Sequence, residues 1–258
     1  MDKKLVLLTN DDGIDSEGLY SLYRVLEKDE SFDIRVIAPD KESSAVGHAI
    51  TVFRPISVRK DYREGNFFGH AVDGTPADCV KIARNDILDR TPDLLISGIN
   101  RGANLGENII YSGTVSAATE GTTLGITSMA VSVDNLVDPD FVYAANFTKK
   151  IASKIMENGG LPARTLLNIN FPDVNEDKIK GVIITSQGNA RVKDKFIKRA
   201  DPRGRDYYWM DGEFEGETVD MDTDYGAVKN NYISITPIHY DMTDHSAIEY
   251  FKKWKIEK

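Results

Sequence analysis

Two adjacent aspartates, Asp11 and Asp12, lie within Asn10-Asp11-Asp12-Gly13, directly after the apolar run Leu5-Val6-Leu7-Leu8. Neighbouring carboxylates repel, and an arrangement that keeps both ionised calls for a cation beside them. Further oxygen donors recur at three later points. Ser43 and Ser44 follow Pro39-Asp40-Lys41-Glu42, Asn100 and Asn104 lie in Ser97-Gly98-Ile99-Asn100-Arg101-Gly102-Ala103-Asn104, and Ser112-Gly113-Thr114 comes just beyond. Carboxylate, hydroxyl and amide oxygens are the ligands that Mg²⁺ and Mn²⁺ prefer. Ser112-Gly113-Thr114 opens a run of small residues, Val115-Ser116-Ala117-Ala118-Thr119-Glu120. A helix start of small residues lets its backbone approach a phosphate closely. A divalent cation beside such a cradle points to phosphoester hydrolysis.

Taken singly, each piece has a plainer reading. Adjacent aspartates before a glycine make a turn, Ser44 is a loop hydroxyl, and Asn100 and Asn104 suit caps and left-handed turns. Asp78 reads as a helix-capping residue, and His48, between Gly47 and Ala49, as an exposed loop histidine. Their joint occurrence at the ends of successive strands is what favours a site.

The elements that must position these residues alternate along the first ~130 residues. Leu5 to Thr9 reads as a strand buried on both faces, and Glu17 to Asp29 as a helix with Leu19, Leu22, Tyr23 and Leu26 on one side. Phe32 to Ala38, Leu94 to Ser97, Met129 to Val133 and Thr165 to Phe171 read as further strands. Thr75-Pro76-Ala77-Asp78 carries the signature of a helix N-terminus, and Phe141 to Asn158 reads as a long helix stopped by Gly159-Gly160. The alternation predicts an α/β protein with a Rossmann-like, doubly wound, mostly parallel sheet. Ligands of open α/β sheets bind at the carboxyl ends of the strands, where all the candidate residues fall. One domain over 1–258 is expected, with a core to about 172. An extended β-hairpin arm is expected at about 173–240, followed by a terminal helix at about 245–255.

The formal net charge of −9 argues against binding long nucleic acid. The single cysteine, Cys79, precludes an intrachain disulfide, and no apolar run is long enough for a membrane span, so a cytoplasmic protein without membrane association is expected. The four histidines are scattered, which disfavours a histidine-rich zinc site. The arm lacks a core of its own and carries Tyr207, Tyr208 and Trp209. Aromatics of that kind bury themselves against a second subunit or against their own.

The stretches LLTNDDGIDSEGL, VIAPDKESSAVGHAIT, DGTPADCVK, PDLLISGINRGANLGENIIYSGTVSAATEG, LLNINFP and ISITPI occur in order along the chain. In these stretches the sequence resembles the SurE family of survival-protein nucleotidases. The resemblance implies a Rossmann-like phosphatase with a swapped C-terminal arm, hence a homodimer or homotetramer. It implies hydrolysis of nucleoside 5′- and 3′-monophosphates, with short-chain polyphosphate as a further substrate. Carried over by motif, the metal ligands are Asp11, Asp12, Ser44 and Asn100, holding one Mg²⁺ or Mn²⁺ per subunit. The substrate side comprises Asn10, Asn104, Ser112, Gly113 and Thr114. In the arm, family members often carry Arg-Gln where this chain has Ser186-Gln187.

The expected mechanism is attack on phosphorus by a metal-activated water that Asp11 or Asp12 orients or deprotonates. The Gly113 and Thr114 amides are expected to stabilise the phosphoryl oxygens. Two alternatives are a phosphatase that uses Asp11 as covalent nucleophile and a sensor that binds nucleotide without hydrolysing it.

Overall fold

A computed structural model describes residues 3–215, 220–254 and 256. The chain runs β1 (Lys4–Thr9), α1 (Glu17–Leu26), β2 (Phe32–Pro39), β3 (Val58–Arg63), β4 (Asn66–Val72), α2 (Pro76–Ile82), β5 (Leu94–Arg101), α3 (Gly113–Thr123) and β6 (Ser128–Val133). It continues through α4 (Phe141–Glu157), β7 (Thr165–Phe171), β8 (Val182–Ile184), β9 (Arg191–Ala200), β10 (Asp206–Glu215), α5 (Asp224–Lys229), β11 (Ile233–His239) and α6 (Ile248–Lys252).

Among the described residues, nine strands form one sheet in the order β3-β4-β2-β1-β5-β6-β7-β11-β8. Pairing is parallel from β4 through β7 and antiparallel at β3–β4 and β7–β11. The mostly parallel α/β sheet, the C-terminal hairpin and the terminal helix are those expected from the sequence. From β1 the chain first builds outward through β2 and β4. It then returns to the other side of β1 with β5 and builds outward through β6 and β7. The carboxyl ends of β1 and β5 therefore flank the topological switch point, where connections diverge and a crevice opens.

Alternation along the buried strands builds two apolar layers. Val6 and Leu8 of β1 face α1 and α4 with Leu19, Leu22, Phe141 and Ala145. Leu7 faces the opposite way, into Cys79 and Val80 of α2 and Val115 and Ala118 of α3. Burying each such large side chain contributes about 1.5–3 kcal/mol. The α2 start is capped as its sequence predicts. The Thr75 hydroxyl accepts from the Asp78 amide at 3.1 Å, while the Asp78 carboxylate accepts from the Thr75 amide at 2.9 Å.

Three departures from expectation have physical causes. The pair β3–β4 was not foreseen, because β3 is an edge strand with a mostly exposed, charged sequence, Val-Arg-Lys-Asp-Tyr-Arg. The arm expected at about 173–240 divides, because β8 and β11 join the main sheet beside β7 and only the β9–β10 hairpin stands apart. The terminal helix is shorter than its predicted 245–255, spanning Ile248–Lys252. Of those expected elements, residues 216–219 and 255 lie outside the described residues.

Candidate active site

Asp11 and Asp12 leave the end of β1 at a bend whose exit is fixed by Gly13, at φ +95°. That left-handed conformation favours glycine, and a Cβ there would also press on the backbone of Lys41 at 3.2 Å. The bend lets the two carboxylates take different surroundings.

Asp11 is buried against the N-terminus of α3. Its Oδ1 accepts from the Thr114 hydroxyl at 2.5 Å. Gly113 makes this seat possible: a Cβ on it would lie 2.7 Å from the Asp11 Cβ and 2.8 Å from Oδ2. Burial pushes the Asp11 carboxyl above its ordinary range, and the Thr114 hydroxyl with the Thr114 and Gly113 amides offsets this in part. Asp12 is half-buried, and its Oδ2 accepts from the Arg101 amide at 3.3 Å. Burial, followed by the charge of Asp11, raises its pKa to about 6. Asn100, at the end of β5, donates from Nδ2 to the Gly102 carbonyl at 2.7 Å, which fixes its amide plane. The structure thus gathers Asp11, Asp12 and Asn100 at the switch point, with the α3 N-terminus beside them.

The remaining predicted residues take varied places. Ser44 is exposed and its hydroxyl donates to Glu42 Oε1 at 2.8 Å. It is tied to the aspartates through its neighbour, since the Ser43 amide donates to the Asp11 carbonyl at 2.7 Å. Ser112 is the N-cap of α3, accepting from the Val115 amide at 3.1 Å. Asn10 is fully buried, and its Nδ2 donates to the Gly13 carbonyl at 2.9 Å and to Ser16 Oγ at 2.6 Å, which shapes the bend. Asn104 is also buried. Its amide donates to Asn170 Oδ1 at 2.8 Å and its Nδ2 to Ser132 Oγ at 2.8 Å, tying the loop after β5 to β6 and β7.

Two neighbours were missed. Arg101 orients Asp12 through its backbone amide, which no side-chain pattern can reveal. Glu120, read only as the end of the small-residue run, is a buried carboxylate paired with Lys81 and His48. His48 is an exposed loop histidine, as expected, and it is also tethered to Glu120. A lone carboxylate inside a small-residue helix was the available signal.

The donor set suits a hard divalent cation. Two carboxylates stand side by side, both held above their ordinary pKa by burial. That is a charge deficit that a bound dication reverses. Among the described residues no three His, Cys, Asp or Glu side chains converge, so a cation held by this pair would need neutral oxygens as well, and Asn100 lies at the same sheet edge. Asn10 Oδ1 and Ser97 Oγ, buried at the same sheet edge, have no hydrogen-bond partner among the described residues. Unsatisfied polar atoms of this kind mark places that an ordered water or ion occupies.

Fold and site together define a doubly wound α/β protein with an acidic oxygen-donor centre at the switch point of its sheet. A family model described as Survival protein SurE matches residues 6–194. A protein named 5′-nucleotidase SurE from Syntrophobacter fumaroxidans is 46% identical over 251 residues, covering 97% of this chain and 99% of its own. Another of that name, from Caldanaerobacter subterraneus subsp. tengcongensis, is 45% identical over 257 residues, covering both chains completely. The crystal structure of the SurE protein from Aquifex aeolicus superposes with a TM-score of 0.82 at 40% identity, covering 96% of this chain and 98% of that one. The chain belongs to the SurE family. Among the described residues no helix is long and apolar enough to cross a membrane.

Proposed function

We propose that this protein is a metal-dependent phosphomonoesterase that hydrolyses nucleoside 5′-monophosphates. The 3′-monophosphates and short-chain polyphosphate are further substrates of the same site. The observation that carries this reading is the seat of Asp11 against Gly113 and Thr114, which places an acidic pair at the N-terminus of α3. The names of the relatives in two bacteria support the nucleotide as substrate.

Asp11, Asp12, Asn100 and Ser44 would hold one Mg²⁺ or Mn²⁺. When bound, such a cation supplies Lewis-acid polarisation of a phosphoryl oxygen and a lowered pKa for bound water. The chain's own residues divide the remaining work. Asp11 is closed in by the Thr114 hydroxyl and by burial, so it anchors the centre and is a poor covalent nucleophile. Asp12 is half-buried with one oxygen left free by the Arg101 amide, so it takes the role of orienting and deprotonating the attacking water. The α3 N-terminus carries the partial positive charge that favours phosphoryl oxygens. Ser112 is its cap, and the Gly113 and Thr114 amides lie beside Asp11, where they favour its charged form and would stabilise the phosphoryl oxygens. Asn10 and Asn104 support the site by fixing its loops.

The experiment is phosphate release from 5′-AMP, 3′-AMP and p-nitrophenyl phosphate, with Mg²⁺ or Mn²⁺ and with EDTA. Metal-dependent release that Asp12→Asn abolishes supports the reading. Nucleotide binding without release from any substrate refutes it in favour of a sensor.

The protein is also proposed to assemble as a homodimer or homotetramer through its arm. Phe196 of β9 stands opposite Met210 of β10, and Ile197 opposite Trp209. Phe196, Trp209 and Met210 are all more than 60% exposed in the single chain. An isolated two-stranded hairpin is marginal in water, so this one needs a surface to cover it.

A further inference from the structure

Glu120 lies on α3, seven residues beyond Gly113. Its side chain is 6% exposed, yet it holds two partners, a lysine and a histidine, from two other parts of the chain. Lys81 of α2 places Nζ 2.7 Å from Oε1, and His48 places Nε2 2.8 Å from Oε2. The two partners differ in what they fasten. Lys81 belongs to a helix already seated by its own apolar face. His48 belongs to the stretch of residues 40–57, which contains neither helix nor strand.

That stretch carries Ser44, and little burial holds it. Val46, Ile50, Val52 and Phe53 are all exposed. Its seat is made by polar tethers. The Ser43 amide donates to the Asp11 carbonyl at 2.7 Å, and the Gly47 amide to the Tyr111 carbonyl at 3.0 Å. The Thr75 hydroxyl donates to the Ala49 carbonyl at 2.7 Å, and the Thr51 amide to Asp78 Oδ1 at 2.9 Å. His48 is the tether whose partner is a nearly buried carboxylate, so losing the contact would leave one Glu120 oxygen short of a hydrogen bond. The Ser44 hydroxyl donates to Glu42, so its lone pairs remain free for a ligand.

We propose that the His48–Glu120 pair is a positioning device that seats the 40–57 stretch and thereby holds Ser44 beside Asp11 and Asp12 for the metal. The inference rests on Ser44 being a ligand of the proposed centre. His48 acts through Ser44 and does not touch the substrate.

Direct Mn²⁺ binding, followed by electron paramagnetic resonance on the full chain without nucleotide, tests it alongside melting temperature. Ser44→Ala and His48→Ala should each weaken Mn²⁺ about tenfold, as for a stretch that is competent about a tenth of the time. The double variant should be no weaker than Ser44→Ala alone, since both act through one contact. His48→Gln, which can still donate to Glu120, should recover most of the affinity, and it carries the test should His48→Ala fold poorly. Lys81→Met removes the other partner of the same carboxylate. It should lower the melting temperature while leaving Mn²⁺ affinity within about twofold, because the stretch stays tethered. The proposal is overturned if His48→Ala binds Mn²⁺ like the wild type while Ser44→Ala does not. It is overturned equally if Lys81→Met weakens Mn²⁺ as much as His48→Ala, which would make Glu120 a purely structural anchor. Unchanged Mn²⁺ affinity in Ser44→Ala refutes the ligand assignment itself, and this inference with it, while leaving metal-dependent phosphate release to be judged separately.

Discussion

Gly113→Ala adds one methyl group at the point where α3 meets Asp11, and its consequence can be worked from the contacts. Alanine is the better helix former, so at an open helical position the change stabilises by about 0.4–1 kcal/mol. Here the new Cβ falls 2.7 Å from the Asp11 Cβ, 2.8 Å from Oδ2 and 3.1 Å from Cγ. Reaching ordinary contact at 3.4 Å requires Asp11 or the helix start to retreat by about 0.7 Å. Asp11 has little room to do so, being buried and bonded to Thr114. Overpacking of this kind costs about 1–3 kcal/mol, which the helix preference offsets in part, so the net loss of stability is about 1–2 kcal/mol. Misplacement near 1 Å at a reacting centre costs on the order of 100-fold in rate. Gly113→Ala should therefore reduce kcat/KM for 5′-AMP by roughly 30- to 100-fold. Its melting temperature should fall by only about 2–5 °C. Steady-state phosphate release at saturating Mn²⁺, measured beside thermal melting, reads both quantities. A variant with wild-type kcat/KM would show that Asp11 does not need its seat on the helix, and the assignment of Asp11 as anchor of the centre would fall.

Three further outcomes rest on the same kind of contact. Cys79 is fully buried and burial raises its thiol pKa well above the ordinary value, so the native protein should resist a thiol-specific dye and react once per chain in denaturant; rapid native reaction would contradict the packing. Asp29 is held at a pKa of about 2 by the Ser31 hydroxyl and by Lys149. A folded pKa below the unfolded value gives stability that is present above the unfolded pKa and lost as pH falls toward 2. Solvent screening keeps the contribution to about 1 kcal/mol or less. Urea midpoints of wild type and Asp29→Asn should accordingly differ at pH 6 and converge near pH 2, and a gap that widens on acidification would reverse the sign. Phe196→Asp puts a charge on the exposed arm opposite Met210 and should shift light scattering toward the monomer mass without unfolding the main sheet; an unchanged oligomer would exclude this face of the arm from the contact.

The acidic pair was readable because its signal is local. A continuous apolar run marks a strand buried on both faces, and the residues just beyond such a strand in an α/β sheet stand at the ligand-binding edge. The start of α2 was equally plain, since Thr75, Pro76 and Asp78 each satisfy a separate requirement of a helix N-terminus. The asparagines were less transparent. The Nδ2 groups of Asn10 and Asn104 bind the Gly13 carbonyl and the Ser132 hydroxyl, while Asn10 Oδ1 is left without a partner among the described residues. An asparagine that supports a loop and one that faces a ligand are the same letter, and only the fold separates them. Strand β3 was missed because an edge strand needs no apolar alternation. The Glu120 pairings were invisible because Lys81 and His48 lie 39 and 72 residues away, beyond the reach of any local pattern.

The place of β11 has a consequence for biosynthesis. It pairs antiparallel with β7 over Ser234 to His239, yet more than sixty residues separate the end of β7 from the start of β11. At ordinary elongation rates the ribosome needs roughly 3–12 s to cover that distance. For that interval Thr165-Leu-Leu-Asn-Ile-Asn-Phe171 offers an unpaired edge beside a parallel sheet that is otherwise ready to close. An apolar strand with a free row of amides and carbonyls invites pairing with another chain. The nascent protein therefore carries an exposed strand edge after Asp11, Asp12, Asn100 and the start of α3 have all been made, and a chain that stalls between β7 and β11 would hold those residues on an unfinished sheet.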